Sequence, residues 1–266
     1  MPPRPQVCSP DSRPCETEPV RPTSRPVRSR VLLAVATALA GALLVGCTGG
    51  GDDAGPGTDT SALQKRLDTA KKTIDDAETV EVSLATSSVP DGVSGLLSAK
   101  GKGNHSPAFT GDVKVSTGGA TLSAEVVAVD GTVYAKTDIT PVYLTIDPAS
   151  LKAPDPAGLI DADTGLTQIL VQTDDLEEGK KSRDGQDVLT SVTGTLPGSV
   201  VSQIIPSATK GARFDVTYRL TDDDVLRDAT MSGPFYGGST DVTYTVRLAT
   251  SDEPIEIEAP ARTGGS

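Results

Sequence analysis

The sequence predicts an α+β protein, an antiparallel sheet with a few helices packed on it. Three observations carry this. One stretch, residues 63–77, repeats its apolar residues at spacings of three and four. The stretches after it alternate apolar and polar residues with a period of two. Between them stand short turn signals rather than the long crossovers that a parallel sheet needs.

Taken in order, the chain opens with a Pro- and Arg-rich stretch ending in Arg28-Ser29-Arg30, followed by fifteen uncharged residues, 31–45. This is the pattern of a charged n-region and an apolar h-region. As a helix the run would span roughly 22 Å, short of the ~30 Å hydrocarbon core of a bilayer. Small residues precede Cys47 in Leu44-Val45-Gly46-Cys47, and Thr48-Gly49-Gly50-Gly51 follows it. The pattern resembles the lipobox of bacterial lipoproteins. A thiol can form the thioether to diacylglycerol, and Gly46 leaves room for a peptidase. The alternative is an ordinary signal peptide with an incidental cysteine. Residues 1–26 are long for an n-region, as expected if translation starts at Val20 or Val27.

Maturation at Cys47 would remove residues 1–46, with six basic and three acidic residues, and leave 18 basic against 33 acidic, a net charge of −15. Such a chain is not expected to bind nucleic acid. It has no basic patch for anionic lipid, so attachment to the outer face of the cytoplasmic membrane would rest on acyl chains at Cys47. Residues 47–60, rich in Gly and Asp, read as a lipidated flexible tether of roughly 45 Å when extended. Residues 61–260 contain no repeat and no linker and read as one domain. Residues 261–266 read as a disordered tail.

Within that domain Leu63, Leu67, Ala70, Ile74 and Ala77 form one helix face, with Ser61 and Gln64 as a capping box. The alternating runs are Val80-Val82-Leu84, Val113-Val115, Tyr134-Lys136, Val142-Leu144-Ile146, Phe214-Val216-Tyr218 and Val242-Tyr244-Val246. Turns are expected at Asp91-Gly92, Gly118-Gly119, Asp130-Gly131, Asp184-Gly185, Asp222-Asp223-Asp224 and Gly237-Gly238. Asp130-Gly131 is the clearest two-residue hairpin. Two more helices are expected, 164–173 capped by Asp163 or Thr164, and 199–205 after Pro197.

The sheet is rich in Val, Thr, Ala, Ser and Gly, and the whole chain has no Trp, three Phe and five Tyr. Small residues on one face would leave volume between sheet and helices, as in a ligand cavity. A GC-rich genome would give the same composition without a cavity.

No catalytic constellation is visible. The single histidine, His105, lies in a turn sequence and is expected to be a solvent-exposed loop residue. No nucleophile elbow, P-loop or dinucleotide fingerprint occurs, and no cofactor or metal is expected. Asp161-Ala162-Asp163-Thr164-Gly165 resembles the start of a calcium loop, but Leu166 and Gln172 stand where Gly and Glu are required.

Five motifs in order resemble one family. They are Phe109-Thr110-Gly111-Asp112-Val113-Lys114-Val115; Val127-Ala128-Val129-Asp130-Gly131-Thr132-Val133-Tyr134-Ala135; Ile146-Asp147-Pro148; Asp163-Thr164-Gly165-Leu166; and Gly185-Gln186 with Val200-Val201-Ser202-Gln203-Ile204. Behind a lipobox, this order is similar to the mycobacterial LppX/LprA/LprF/LprG lipoproteins over residues 61–258. The departure is Asp155-Pro156-Ala157-Gly158, which looks like an insertion.

The resemblance implies a strongly curved antiparallel half-barrel, similar to carriers of the LolA/LolB type, with helices over its concave face enclosing an apolar cavity. It implies a cargo of triacylglyceride or acylated glycolipid carried without catalysis, beside a major-facilitator exporter. The residues expected to line the cavity are Val113, Val115, Val127, Val129 and Val133 from the sheet, and Leu166, Ile169, Leu170, Val201 and Ile204 from the helical cover. Plain core packing is the alternative for each. For the whole chain the alternative is an envelope scaffold or adhesin with a filled core.

Overall fold

A computed structural model describes residues 59–151, 153–238 and 240–261. The signal segment, Cys47 and most of the tether lie outside the described residues.

Eleven strands form one antiparallel sheet. The first six are β1 (Thr79–Thr86), β2 (Gly95–Asn104), β3 (Ala108–Thr117), β4 (Ala120–Val129), β5 (Thr132–Thr137) and β6 (Leu144–Ile146). They pair as a meander running outward from β1. The other five are β7 (Asp174–Asp184), β8 (Asp187–Pro197), β9 (Arg213–Leu220), β10 (Leu226–Gly233) and β11 (Val242–Ser251), a second meander. Pairing of β1 with β11 joins the two, so the spatial order is β6-β5-β4-β3-β2-β1-β11-β10-β9-β8-β7. The sheet is strongly curved and does not close, leaving β6 and β7 as its edges.

This topology dictates the cover. To pass from β6 at one edge to β7 at the other, residues 147–173 must cross the open side. That crossing carries a 3₁₀ turn at Ala149–Leu151 and a short helix α2 (Gln168–Val171). Beside it lies α1 (Thr60–Asp75), whose Leu63, Leu67, Ala70 and Ile74 are buried as the periodicity predicts. A third helix, α3 (Gly198–Ile204), follows Pro197 and buries Val201 and Ile204. Among the described residues no helix is long and apolar enough to cross a membrane.

Several local expectations need correction. Helix α1 starts one residue before Ser61, and its cap is Asp59, whose carboxylate accepts from the Ala62 N–H at 3.2 Å. An ionised carboxylate is the better partner for orphan N–H groups at the positive end of a helix. The helix expected over 164–173 shrinks to four residues, with neither Asp163 nor Thr164 as its cap. Asp161 takes the local donors instead, from the N–H groups of Asp163 and Thr164 and the Thr164 hydroxyl at 3.0, 2.7 and 2.7 Å. This holds 161–164 as a turn, the usual competition of a short carboxylate with helix. Of the run 142–146 only Leu144–Ile146 is strand.

His105 is not a free loop residue. Its Nδ1 lies 2.8 Å from the Ile160 carbonyl oxygen and its Nε2 3.0 Å from that of Ile74, bridging the crossing segment and the end of α1. The Asp130-Gly131 hairpin is as expected, with both residues at positive φ (53° and 68°), the geometry of a type I′ turn.

Candidate functional site

Directly paired residues of an antiparallel sheet point to the same face, so the register assigns every side chain. Val80, Val82 and Leu84 of β1 look toward the helices. Across β2 their partners are Gly103, Gly101 and Ala99. Across β3 these meet Phe109, Gly111 and Val113. Across β4 they meet Ala128, Val126 and Ala124, and across β5 Val133, Ala135 and Thr137. In the other direction Leu84 faces Val246 of β11, which faces Ala229 of β10. The concave floor is therefore mainly apolar, with Thr137 and Thr250 at its margins and small residues concentrated in β2 to β5.

The floor has two regions. At the end where α1 and the crossing lie, Val80, Val82, Phe109, Val126, Ala128 and Val133 are buried in one core with the apolar face of α1. Glycines make close packing possible at both ends, because Phe109 lies over Gly101 and Gly111 here, and Phe214 lies over Gly233 at the far end of β9 and β10, where a Cβ would clash with the ring. Phe109 is buried at this end, while Phe214 and Phe235 are buried at the other end of β9 to β11, where Phe235 meets Phe214 edge-on at 4.9 Å and Tyr244 at 5.0 Å. At the opposite end the cover stops over β1 to β5 and the adjoining part of β11. There Leu84, Val113, Ala124 and Val246 are half-buried, as are Leu96, Val115 and Leu122 beyond them. Two grooves of about 340 and 360 Å³ also occur, lined by charged or polar residues such as Lys71, Asp75, Asn104 and His105, and neither touches this floor.

The expected cavity residues divide accordingly. Val113 and Val115 lie on the concave floor toward its open end, and Val133 lies under the cover. Val127 and Val129 do not join them: Val127 pairs with Tyr134 and Thr110, and both valines point to the convex face. The two-residue hairpin pairs Ala128, not Val127, with Val133. Leu166 is half-buried against the core; Ile169, Leu170, Val201 and Ile204 are buried in it. Leu84, Ala99, Ala124 and Val246 were not among the expected lining. Strand β2 carries no apolar period-two signal because its concave residues are mainly Gly and Ala. The alternation Ala99-Lys100-Gly101-Lys102-Gly103, small inward and cationic outward, was the available signal.

The cover is fastened by polar contacts. Lys71 donates to the Ala162 carbonyl at 2.9 Å and is ion-paired with Asp75, while the Thr167 hydroxyl donates to Asp75 at 2.9 Å. Arg66 binds Asp224 and the Thr221 carbonyl in the β9–β10 turn. Tyr218, fully buried, donates toward the Ile169 carbonyl at 3.3 Å and meets the Thr173 hydroxyl at 2.7 Å, and burial pushes its phenol far above the usual range. At the open end the Leu96 N–H donates to the Tyr236 hydroxyl, and Tyr244 donates to the Leu96 carbonyl. The two tyrosine hydroxyls are 2.5 Å apart, and this ring of contacts ties β2 to the β10–β11 loop.

The hydrogen bond from the Thr164 hydroxyl, more than those from backbone N–H groups, lowers the Asp161 carboxyl below its ordinary 3.8. A carboxyl lowered by folding stabilises the fold above its unfolded value and loses that contribution as pH falls through the folded one. Acidification below pH 3.8 is thus expected to loosen the 161–167 turn ahead of the sheet, read as faster amide exchange at Gly165 and Leu166.

Among the described residues no group of His, Cys, Asp and Glu side chains is placed to hold a metal. What the fold offers is an apolar floor, roofed at one end and open at the other, in an unclosed curved sheet, the architecture of half-barrel lipoproteins. Residues 61–257 match the family model for the LppX_LprAFG lipoproteins, and the chain belongs to that family. It is 28% identical over 236 residues to the lipoarabinomannan carrier protein LprG of Mycobacterium tuberculosis (strain ATCC 25618 / H37Rv), covering 87% of this chain and 95% of that one. The protein of the same name from Mycobacterium leprae (strain TN) is 27% identical over 245 residues, covering 88% and 98%. The crystal structure of LprF from Mycobacterium bovis superposes with a TM-score of 0.63 at 19% identity, over 77% of this chain and all of that one. That of LppX from Mycobacterium tuberculosis gives 0.54 at 15%, over 74% and 99%. At these identities the solved structures speak for the fold.

Proposed function

We propose that this chain is a lipid carrier of the cell envelope, held on the outer face of the cytoplasmic membrane by acyl chains on Cys47. Its cargo is a multi-acyl lipid, a triacylglyceride or an acylated glycolipid, passed onward beside a major-facilitator exporter. The observation that carries the reading is the half-open row Val246–Leu84–Ala99–Val113–Ala124, an apolar floor left uncovered at one end of the sheet. The name of the LprG relatives, lipoarabinomannan carrier, agrees with a lipidic cargo.

The chemistry asked of the protein is modest. Each acyl methylene is worth about 0.8 kcal/mol on leaving water, whether it enters a bilayer or an apolar protein surface. Transfer between the two is therefore nearly balanced, and loading and release can both proceed without a covalent step.

Organic extraction of the secreted Cys47→Ser protein, followed by mass spectrometry, tests the reading free of anchor lipids. Co-purifying multi-acyl lipid is the expected result. A protein devoid of acyl lipid would instead be an envelope scaffold with a filled core.

A further inference from the structure

The hairpin joining β5 to β6 projects from the open end of the floor. Thr137 and Thr140 exchange backbone hydrogen bonds of 3.1 Å, so Asp138 and Ile139 form its tip. Ile139 is 83% exposed, Leu144 52% and Val142 39%, and these are three of the six exposed large apolar side chains among the described residues. Between them Tyr143 is turned the other way, donating to Glu125 at 3.0 Å and lying 5.1 Å from the Lys136 ammonium. Lys136 completes the cluster with an ion pair to Glu125 at 2.7 Å. Glu125 and Lys136 belong to the convex face, whereas Leu144 pairs with Ala135 on the concave one. Tyr143 thus pins the hairpin from outside while an apolar lip borders the floor.

The two ends of the sheet differ in charge. The loops at the open end, 87–94, 118–119, 138–143, 205–212 and 234–241, contain three acidic residues and one basic, Lys210. The hairpin turns and flanking strand ends at the roofed end hold Asp130, Asp184, Asp187 and Asp222 to Asp224, of which Asp187 and Asp224 are paired with Arg227 and Arg66. A ten-residue strand separates the ends by roughly 33 Å, several times the ~8 Å Debye length at physiological ionic strength. Anionic headgroups therefore repel the roofed end more strongly than the open one.

We propose that this lip docks on the lipid bilayer, with Ile139, Val142 and Leu144 entering the headgroup boundary. The floor then meets the membrane edge, and acyl chains cross without passing through water. Three side chains are a weak anchor alone, but a tethered domain docks at high effective concentration. The reach is sufficient. Residues 48–59 extend to about 41 Å, longer than the sheet, and α1 meets the acidic β9–β10 turn within its second turn, where Arg66 binds Asp224. This inference rests on the carrier reading and on acylation of Cys47.

The test uses the full lipidated protein in phosphatidylcholine vesicles without other proteins. After maturation Cys47 is the only native cysteine, and its thiol is acylated. Ile139→Cys and, separately, Asp222→Cys can each take a single nitrobenzoxadiazole label, with doxyl-phosphatidylcholine in the bilayer as quencher. The label at 139 is expected to lose most of its emission and the label at 222 to keep it. Equal quenching at both positions overturns the proposal, as does protection of position 139 only in native membranes, which would assign the lip to a protein partner. Leu144→Asp is expected to slow transfer of fluorescent triacylglyceride between vesicles about tenfold, the equivalent of one inserted apolar side chain. An unchanged rate also overturns it. Lipid co-extracted with the protein reports on the carrier reading separately, so an unquenched label on a lipid-loaded protein rejects the docking alone.

Discussion

Val113→Trp is expected to remove co-extracted lipid from this protein while leaving its fold intact. Val113 sits in the half-open row of the floor with Ala99 on one side and Ala124 on the other. An indole placed there has small neighbours to lie over and an open end to lean into. The ~1–3 kcal/mol that overpacking costs in a closed core should therefore be largely avoided. The volume it fills is the volume an acyl chain would use. Lys114→Trp, one residue along and on the convex face, is the control and should keep its lipid. Mass spectrometry of the extracts, beside thermal melts of the same samples, reads both effects. Unchanged lipid on Val113→Trp would sink the assignment of the floor.

How far the sequence could anticipate that floor depended on residue size. Where strands carry Val, Leu, Phe or Tyr on one face, as in β1, β9 and β11, the period-two signal is plain and the strands lie where it puts them. Where the inward residues are Gly and Ala, as in β2, nothing apolar marks the face, and the strand was invisible. Strand β7, whose sequence is DDLEEGKKSRD, carries only one buried large residue, Leu176, and was missed for the same reason. Helix α1 was legible because its face is a full stripe. Helix α2 was overextended because Asp161 draws the donors of residues 163 and 164 into a turn, a competition that apolar periodicity does not record.

The candidate site was half legible. Adjacent valines in Val126-Val127-Ala128-Val129 cannot all face one side, and only the hairpin register decides which do. Since Asp130-Gly131 is a two-residue turn, counting back from it pairs Val129 with Thr132 and Ala128 with Val133. Val127 and Val129 could thus have been excluded in advance. The lip at Ile139 to Leu144 was beyond reach, because its direction is set by Tyr143 binding Glu125 across the convex face.

Phe214→Ala is expected to cost the largest share of stability of any single substitution considered, about 3–5 kcal/mol of a total of order 5–15 kcal/mol. Phe214 is fully buried, edge-on to Phe235, and opposite Leu196 on β8. With three phenylalanines and no tryptophan in the chain, few large side chains stand near enough to fill the hole. Gly233, which the ring covers, adds nothing to it. Gly233→Ala alone should also destabilise, because its methyl would drive into the Phe214 ring. In the Phe214→Ala background the same methyl enters the vacated space, so there Gly233→Ala should be neutral or stabilising. The two substitutions are thus expected to couple by about 1 kcal/mol or more, with the double variant more stable than the sum of the singles. Urea midpoints of the four proteins measure the cycle. Additivity would mean that the ring does not rest on Gly233, and that the close packing around Phe214 is held some other way.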